Sequence, residues 1–316
     1  VLAAVLLLGG CFGMTRESSA PVDQRLPGEW TTLPPLPTAR QEVGVAVAAG
    51  RIFVIGGFGA AAAPVDTVEM YDPSTGQWET RAPLPGTVHH PAAAGVNDRL
   101  YVIGGFTGRL GGSALDAVWE YDPAADAWKA RAPMPTARGA LAVAVLNGRI
   151  HALGGSADGN SGAHEVFDPA GNTWTKLNPM PTPRNHLAAV AVDGKVWAIG
   201  GRTSFTGTQY PNVEIYDPAT DSWRVGTPLP DGRGGLAAAV VQGRVFVFGG
   251  EAPLKIFGAM DMFEPEQGRW IAKSSMPTPR HGIGAAVLGD HIHVPGGATR
   301  PGLARSDVHE VFRPGR

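Results

Sequence analysis

Cysteine is almost missing from this chain: Cys11 is the only one in 316 residues, so no intramolecular disulfide can hold the fold together. Charge is sparse too, with 17% of residues acidic or basic and a formal net charge of -2. That balance gives no electrostatic footprint for nucleic acid or for an anionic membrane surface, and neither is expected as a partner. The one long apolar run, VLAAVLLLGGCFGM at the N-terminus, is too short to span a bilayer. No phosphate-binding glycine loop, HExxH pair or nucleophile elbow occurs anywhere, which removes the commonest signatures of nucleotide, zinc-protease and serine-hydrolase chemistry.

What the chain has in quantity is glycine, 44 residues, and proline, 28 residues, and both are placed periodically. A Gly-Gly pair closes an apolar run at Gly56-Gly57, Gly104-Gly105, Gly154-Gly155, Gly200-Gly201, Gly249-Gly250 and Gly296-Gly297, in steps of 48, 50, 46, 49 and 47 residues. Six of the eight tryptophans, Trp30, Trp78, Trp128, Trp174, Trp223 and Trp270, keep the same beat. Self-similarity at such a period decides the architecture before any local reading does.

Each unit reads in the same order. A variable loop after Gly-Gly leads to a strand ending in an aromatic and a turn, as in Tyr71-Asp72-Pro73 or Phe167-Asp168-Pro169, where proline fixes the turn. The tryptophan strand follows. Paired prolines, as in APLPGTVH or NPMPTPRN, then mark a crossing, since they cannot sit inside a sheet. An Ala/Val/Gly strand, a hairpin signal such as LNGR or VDGK, and a β-branched strand return the chain to Gly-Gly. Four short strands per unit describe the blade of a β-propeller. The prediction is an all-β, six-bladed propeller with four antiparallel strands per blade, one domain over residues 29–316 despite a length that would suit two. The strand at Trp30 precedes any complete blade, and the last unit stops after its third strand. The N-terminal strand is therefore expected to complete the sixth blade and close the ring.

The Gly-Gly, the Tyr-Asp-Pro and the tryptophan at this period resemble the kelch repeat, over nearly the whole chain from Gly28 to Arg316. The resemblance implies a fold far more than a role, because kelch propellers serve as protein-binding heads, as carbohydrate-associated domains and occasionally as enzymes. It also permits two enzyme comparisons. Copper radical oxidases of this propeller class need a Tyr-Cys crosslink, which Cys11 as sole cysteine excludes. Kelch proteins similar to periplasmic sialic-acid mutarotases carry a glutamate after the glycines and an arginine six residues later. Here GGEAPLKIF supplies Glu251, but the later position is Phe257.

The N-terminus suggests a location. Residues 1–10 have the length of a secretory signal core without its basic start, and Leu8-Gly9-Gly10-Cys11 resembles a bacterial lipobox. Cys11 would then be the lipidated residue, residues 11–28 a polar tether, and the propeller an extracytoplasmic, membrane-anchored lipoprotein, periplasmic or at the cell surface. An ordinary cleaved signal with a chance cysteine is the alternative. The propeller itself is expected to be monomeric.

Candidate functional residues come from aligning the units without gaps. At the position after the prolines stand Arg40, Val88, Arg138, Arg184, Arg233 and Arg280. Five arginines could form an anion-binding funnel. Two residues before each strand-end aromatic, however, stand Glu69, Trp119, Glu165, Glu214, Asp261 and Glu310, and the second unit is the exception in both series. The paired loss favours a structural arginine ring of buried bridges, one within each blade.

Residues that break the repeat are better candidates for function. Two positions beyond the arginine, Glu42, His90 and His186 are ionisable where the other units carry Ala or Gly. They could form an acid/base set or a weak metal site, against the simpler reading of a polar channel lining with no metal or other cofactor. His89 and His281, of opposite strand parity, are expected in packing or at the surface. The resemblance places a binding face at the residue after Gly-Gly, here Phe58, Phe106, Ser156, Arg202, Glu251 and Ala298. Phe58 and Phe106 could present an aromatic platform, Arg202 and Glu251 opposite charges, and the loop RTSFTGTQYPN adds Phe205 and Tyr210. The expected function is recognition of a protein or glycan through this face. The alternative is a carbohydrate-active enzyme of mutarotase or epimerase type using Glu42, His90, His186 or Glu251.

Overall fold

Residues 28–109 and 112–315 are described in a computed structural model, where the repeats fold into six four-stranded antiparallel sheets. The apolar N-terminal run, Cys11 and most of the tether lie outside these residues. In blade 1 the strands run Gly44–Ala48, Arg51–Ile55, Val68–Asp72 and Gln77–Arg81, from the axis outward in chain order. Blades 2 to 5 repeat this order from the inner strands Ala92–Val96, Ala142–Leu146, Ala188–Val192 and Ala237–Val241. Blade 6 is completed by the N-terminal strand Gly28–Thr32, which pairs antiparallel with His309–Pro314 so that Trp30 faces Phe312. The ring closes as the sequence predicts, and no blade is left with a missing strand.

Three sets of hydrogen bonds tie each blade to its neighbour, and each explains one repeated residue. At the rim, the Trp128 indole N–H donates to the Ala82 carbonyl, and Trp30 repeats the contact across the ring closure with the Ser274 carbonyl. Midway, the second glycine of each pair donates its N–H to a carbonyl of the next blade: Gly105 to Arg138 at 3.1 Å, and Gly297 to Arg40 at 2.8 Å. Both glycines have positive φ, and a Cβ on Gly104 would stand 2.3 Å from the Arg138 oxygen, so only glycine fits. The residue between the prolines is a plug. Leu84, Met134, Met180 and Leu229 are all buried, and the Met134 and Met180 methyls lie against Gly104 and Gly154.

The recurring T-x-R of the crossing is a clamp. Arg40, Arg138, Arg184, Arg233 and Arg280 are fully buried and reach Glu69, Glu165, Glu214, Asp261 and Glu310 at 2.5 to 2.8 Å. Thr38, Thr136, Thr182 and Thr278 bind the other oxygen of four of those carboxylates, so each is held from both sides. These positions form no anion funnel, because the guanidinium groups are buried within the blades against their carboxylates, and Arg40, Arg138, Arg184 and Arg280 also donate to backbone carbonyls.

Candidate functional site

The third set of bonds is the innermost. Glu42, His90, Ala140, His186, Gly235 and Gly282 each donate their backbone N–H to the carbonyl of the equivalent residue in the preceding blade, at 2.8 to 3.1 Å. Glu42 donates to Gly282, so the chain of bonds closes into a circle around the axis. All six residues have φ between 52° and 64°, in the left-handed region; Glu42 lies at 54°, His90 at 52° and His186 at 53°. For a side chain with a Cβ this costs roughly 1–2 kcal/mol. Three strained ionisable residues are therefore held at one point, where glycine serves two other blades without strain.

Above this circle opens a cavity of about 400 Å³, lined by Gln41, Glu42, His89, His90, His186, Arg202, Phe205 and Glu251 among others. Below it a narrower space of about 80 Å³ continues down the axis past Leu141, Leu187 and Leu236. The circle is the floor of the upper pocket. Post-Gly-Gly residues form its wall, each paired with the residue just before a floor position, as in Gln41 with Phe58, His89 with Phe106 and Gly234 with Glu251.

At the floor, Glu42, His90 and His186 can each present one donor atom so that all lie within 4.8 Å of one another. Glu42 Oε2 is 3.2 Å from His90 Nε2, and its other oxygen faces His281 Nδ1 at 3.7 Å. Burial raises the Glu42 pKa above the usual carboxylate range, with His281 and Arg202 opposing the shift. Burial also lowers His90 to about 3 and His186 well below the usual imidazole value, aided in both by the Arg202 charge. Both imidazoles are neutral at ordinary pH.

On one wall, Arg202 meets Glu251 at 2.6 Å, and Glu251 also faces His281 Nδ1 at 3.3 Å and accepts the Gly302 N–H at 3.1 Å. Glu251 is thus a fixed counter-charge, and its carboxylate is committed to these three partners. Opposite, His89 is sandwiched between Phe58, whose ring centre is 4.0 Å away, and Phe106 at 5.5 Å. The far side of Phe106 is closed by Gly139, where a Cβ would stand 2.3 Å from the ring.

Several expectations are corrected by this geometry. Phe58 and Phe106 line the cavity but offer no open aromatic platform, since His89 stacks between them and Gly139 packs against Phe106. Tyr210 does not line the cavity; its N–H returns to the Gly201 carbonyl, and Phe205 from the same loop lines the pocket instead, 5.7 Å from the Arg202 guanidinium carbon. His89 and His281 are buried in packing as expected, His89 between Phe58 and Phe106 of adjacent blades and His281 against Glu42 and Glu251, and His89 also lines the pocket. The signal for the place of His89 at the pocket was its adjacency to the repeat-breaking His90.

A family model for the KLHDC2/KLHL20/DRC7 Kelch-repeats domain matches residues 27–180 and 166–297. The chain belongs to the kelch-repeat family. A solved structure titled "Structure of YjhT" is similar to this kelch propeller with a TM-score of 0.75, covering 87% of this chain and 95% of that one at 19% identity, a likeness of fold. No curated protein matches the kelch chain in sequence.

Proposed function

We propose that this kelch propeller is an extracytoplasmic recognition module whose axial pocket takes a saccharide, the end of a glycan chain. Kelch propellers as a class mediate protein binding, but the observation that favours a small polar ligand here is the shape and lining of the pocket. At about 400 Å³ it has the size of a small-molecule site, and it combines aromatic side chains with convergent charged and imidazole groups. A sugar offers an apolar ring face to Phe205 and hydroxyls to Arg202, His89 and the floor. The lipobox-like LGGC at Leu8 to Cys11 supports export and a lipid anchor.

The test is a glycan array probed with the full chain and with Phe205→Ala, a lining side chain that is 38% exposed and makes little packing contribution. At least about tenfold weaker binding of the variant is expected, equivalent to roughly 1.4 kcal/mol. Absence of any saccharide ligand, or equal binding by both proteins, overturns the reading; a protein captured at this face instead would replace it.

A second reading is favoured by one contact. The Glu42 carboxyl and the His90 imidazole stand 3.2 Å apart at the floor, beside any bound sugar, as an acid/base pair for hemiacetal opening would. If the protein interconverts anomers of its ligand, Glu42→Gln should lower the rate about 100-fold in an NMR exchange assay. No acceleration by the wild type would leave recognition alone.

A further inference from the structure

The floor residues carry more organisation than a polar lining needs. His186 donates from Nδ1 to Asn185 Oδ1 at 2.5 Å, and that amide is itself oriented, because its nitrogen donates to the Thr203 carbonyl at 3.1 Å and to Asn160 Oδ1. The tautomer of His186 is thereby fixed, with Nε2 left as the nitrogen bearing a lone pair. His90 is arranged alike: its Nδ1 is 2.5 Å from His89 Nδ1, while its Nε2 faces Glu42. His89 is in turn clamped between two phenyl rings. Each imidazole thus has one nitrogen committed to a held partner and the other available, the arrangement by which proteins orient histidine for a metal.

Charge points the same way. Arg202 is neutralised by Glu251, whereas among the described residues Glu42 makes no ion pair with arginine or lysine and sits between imidazoles. All three residues are also kept in the left-handed conformation, in a fold that places Ala or Gly at the other three equivalent positions.

We infer that Glu42, His90 and His186 form a three-ligand site for a divalent transition-metal ion, with its remaining position open to the axial pocket. Two imidazoles and one carboxylate suit zinc, cobalt, nickel or copper, and are poor ligands for magnesium or calcium. Tetrahedral bonds of about 2.0–2.2 Å bring ligand atoms to roughly 3.3 Å of one another. Donors already within 4.8 Å need only small side-chain rotations to reach that spacing. The open position would take an oxygen of the pocket's ligand, a hydroxyl or a carboxylate.

Metal binding here does not require that the pocket take a saccharide, so it is tested with the ion alone. Chelator-treated full chain is titrated with Zn²⁺ by calorimetry and with Co²⁺ by visible absorption, the latter reporting low coordination number. One ion per chain is expected. His186→Ala copies the residue that blade 3 carries at this position, Ala140, and should fold as wild type by thermal melting while losing at least about 100-fold in affinity. Asn185→Ala, which frees the imidazole, should lose about 10-fold. Phe205→Ala should bind the ion normally, which separates this outcome from that of the glycan array. Wild-type protein that binds no stoichiometric ion, or folded His186→Ala and His90→Ala that bind it as tightly as wild type, overturns the assignment.

Discussion

Arg184→Ala is expected to unfold about 3–5 kcal/mol more easily than the wild-type protein in urea, although residue 184 touches neither pocket nor solvent. Its guanidinium pairs with Glu214 at 2.6 Å and also serves the carbonyls of Thr182, Ala198 and Gly200. Truncation leaves a buried carboxylate with one hydroxyl partner and strips three acceptors of their donor. The paired change Arg184→Val with Glu214→Trp copies blade 2, where Val88 and Trp119 fill these positions without charge. That double variant should recover most of the loss, because exchanging a buried ion pair for apolar packing is often neutral. A single-variant loss below about 1 kcal/mol would show that the clamps are not what holds the blades.

Acid should unfold the propeller in a window to which two histidine pairs remote from the pocket contribute alongside the pocket's own imidazoles. His151 and His164 in blade 3 lie 2.8 Å apart, and His293 and His309 in blade 6 lie 3.0 Å apart at the same repeat positions. Each pair is buried against the aromatic pair of the following blade, Tyr216 with Trp223 and Tyr71 with Trp78. Burial, and then the neighbouring charged group, lowers His151 and His293 to about 4 and His164 and His309 to about 3. The unfolded chain takes up these protons near pH 6.5, whereas the folded protein resists until about pH 4 or below. Their stabilising effect is therefore complete above pH 6.5 and is lost as pH falls through that interval, at about 1.4 kcal/mol per pH unit for each histidine. Thermal melts from pH 8 to pH 4.5 should show a steady fall in Tm. His151→Phe with His164→Val, the residues that blade 1 carries as Phe53 and Val68, should make that fall shallower, leaving the part due to the other buried histidines. A Tm that does not move between pH 7 and pH 5 would contradict the assignment.

The architecture was legible because six copies of one pattern correct each other. Gly-Gly and tryptophan each answer to one inter-blade bond and the crossing prolines frame a buried plug, and six occurrences leave little room for another topology. Even the arginine clamps could be read, since Val88 and Trp119 depart together. The pocket was legible only at the residues that break the pattern. Glu42, His90 and His186 stood out against Ala and Gly, but nothing in one dimension gives the separation of side chains across a ring. The aromatic platform failed for a different reason: His89 slides between Phe58 and Phe106, and such an insertion depends on rotamers that residue type does not dictate. His89 and His281 were expected in packing or at the surface and are both buried, but parity, which holds for extended backbone, gave no sign that His89 also lines the pocket beside a left-handed residue.

The circle of six backbone hydrogen bonds has an electrical consequence. Its peptide dipoles follow one another head to tail, so their components in the plane of the circle cancel, unlike the aligned dipoles at a helix end. The scaffold thus imposes no lateral polarity on the pocket floor, and the field there is written by side chains alone. Three of the six sites, Ala140, Gly235 and Gly282, stand blank. Ala140 already carries a Cβ in the left-handed conformation, so a floor of different charge needs only a new side chain there, with the hydrogen-bonded circle beneath it unchanged.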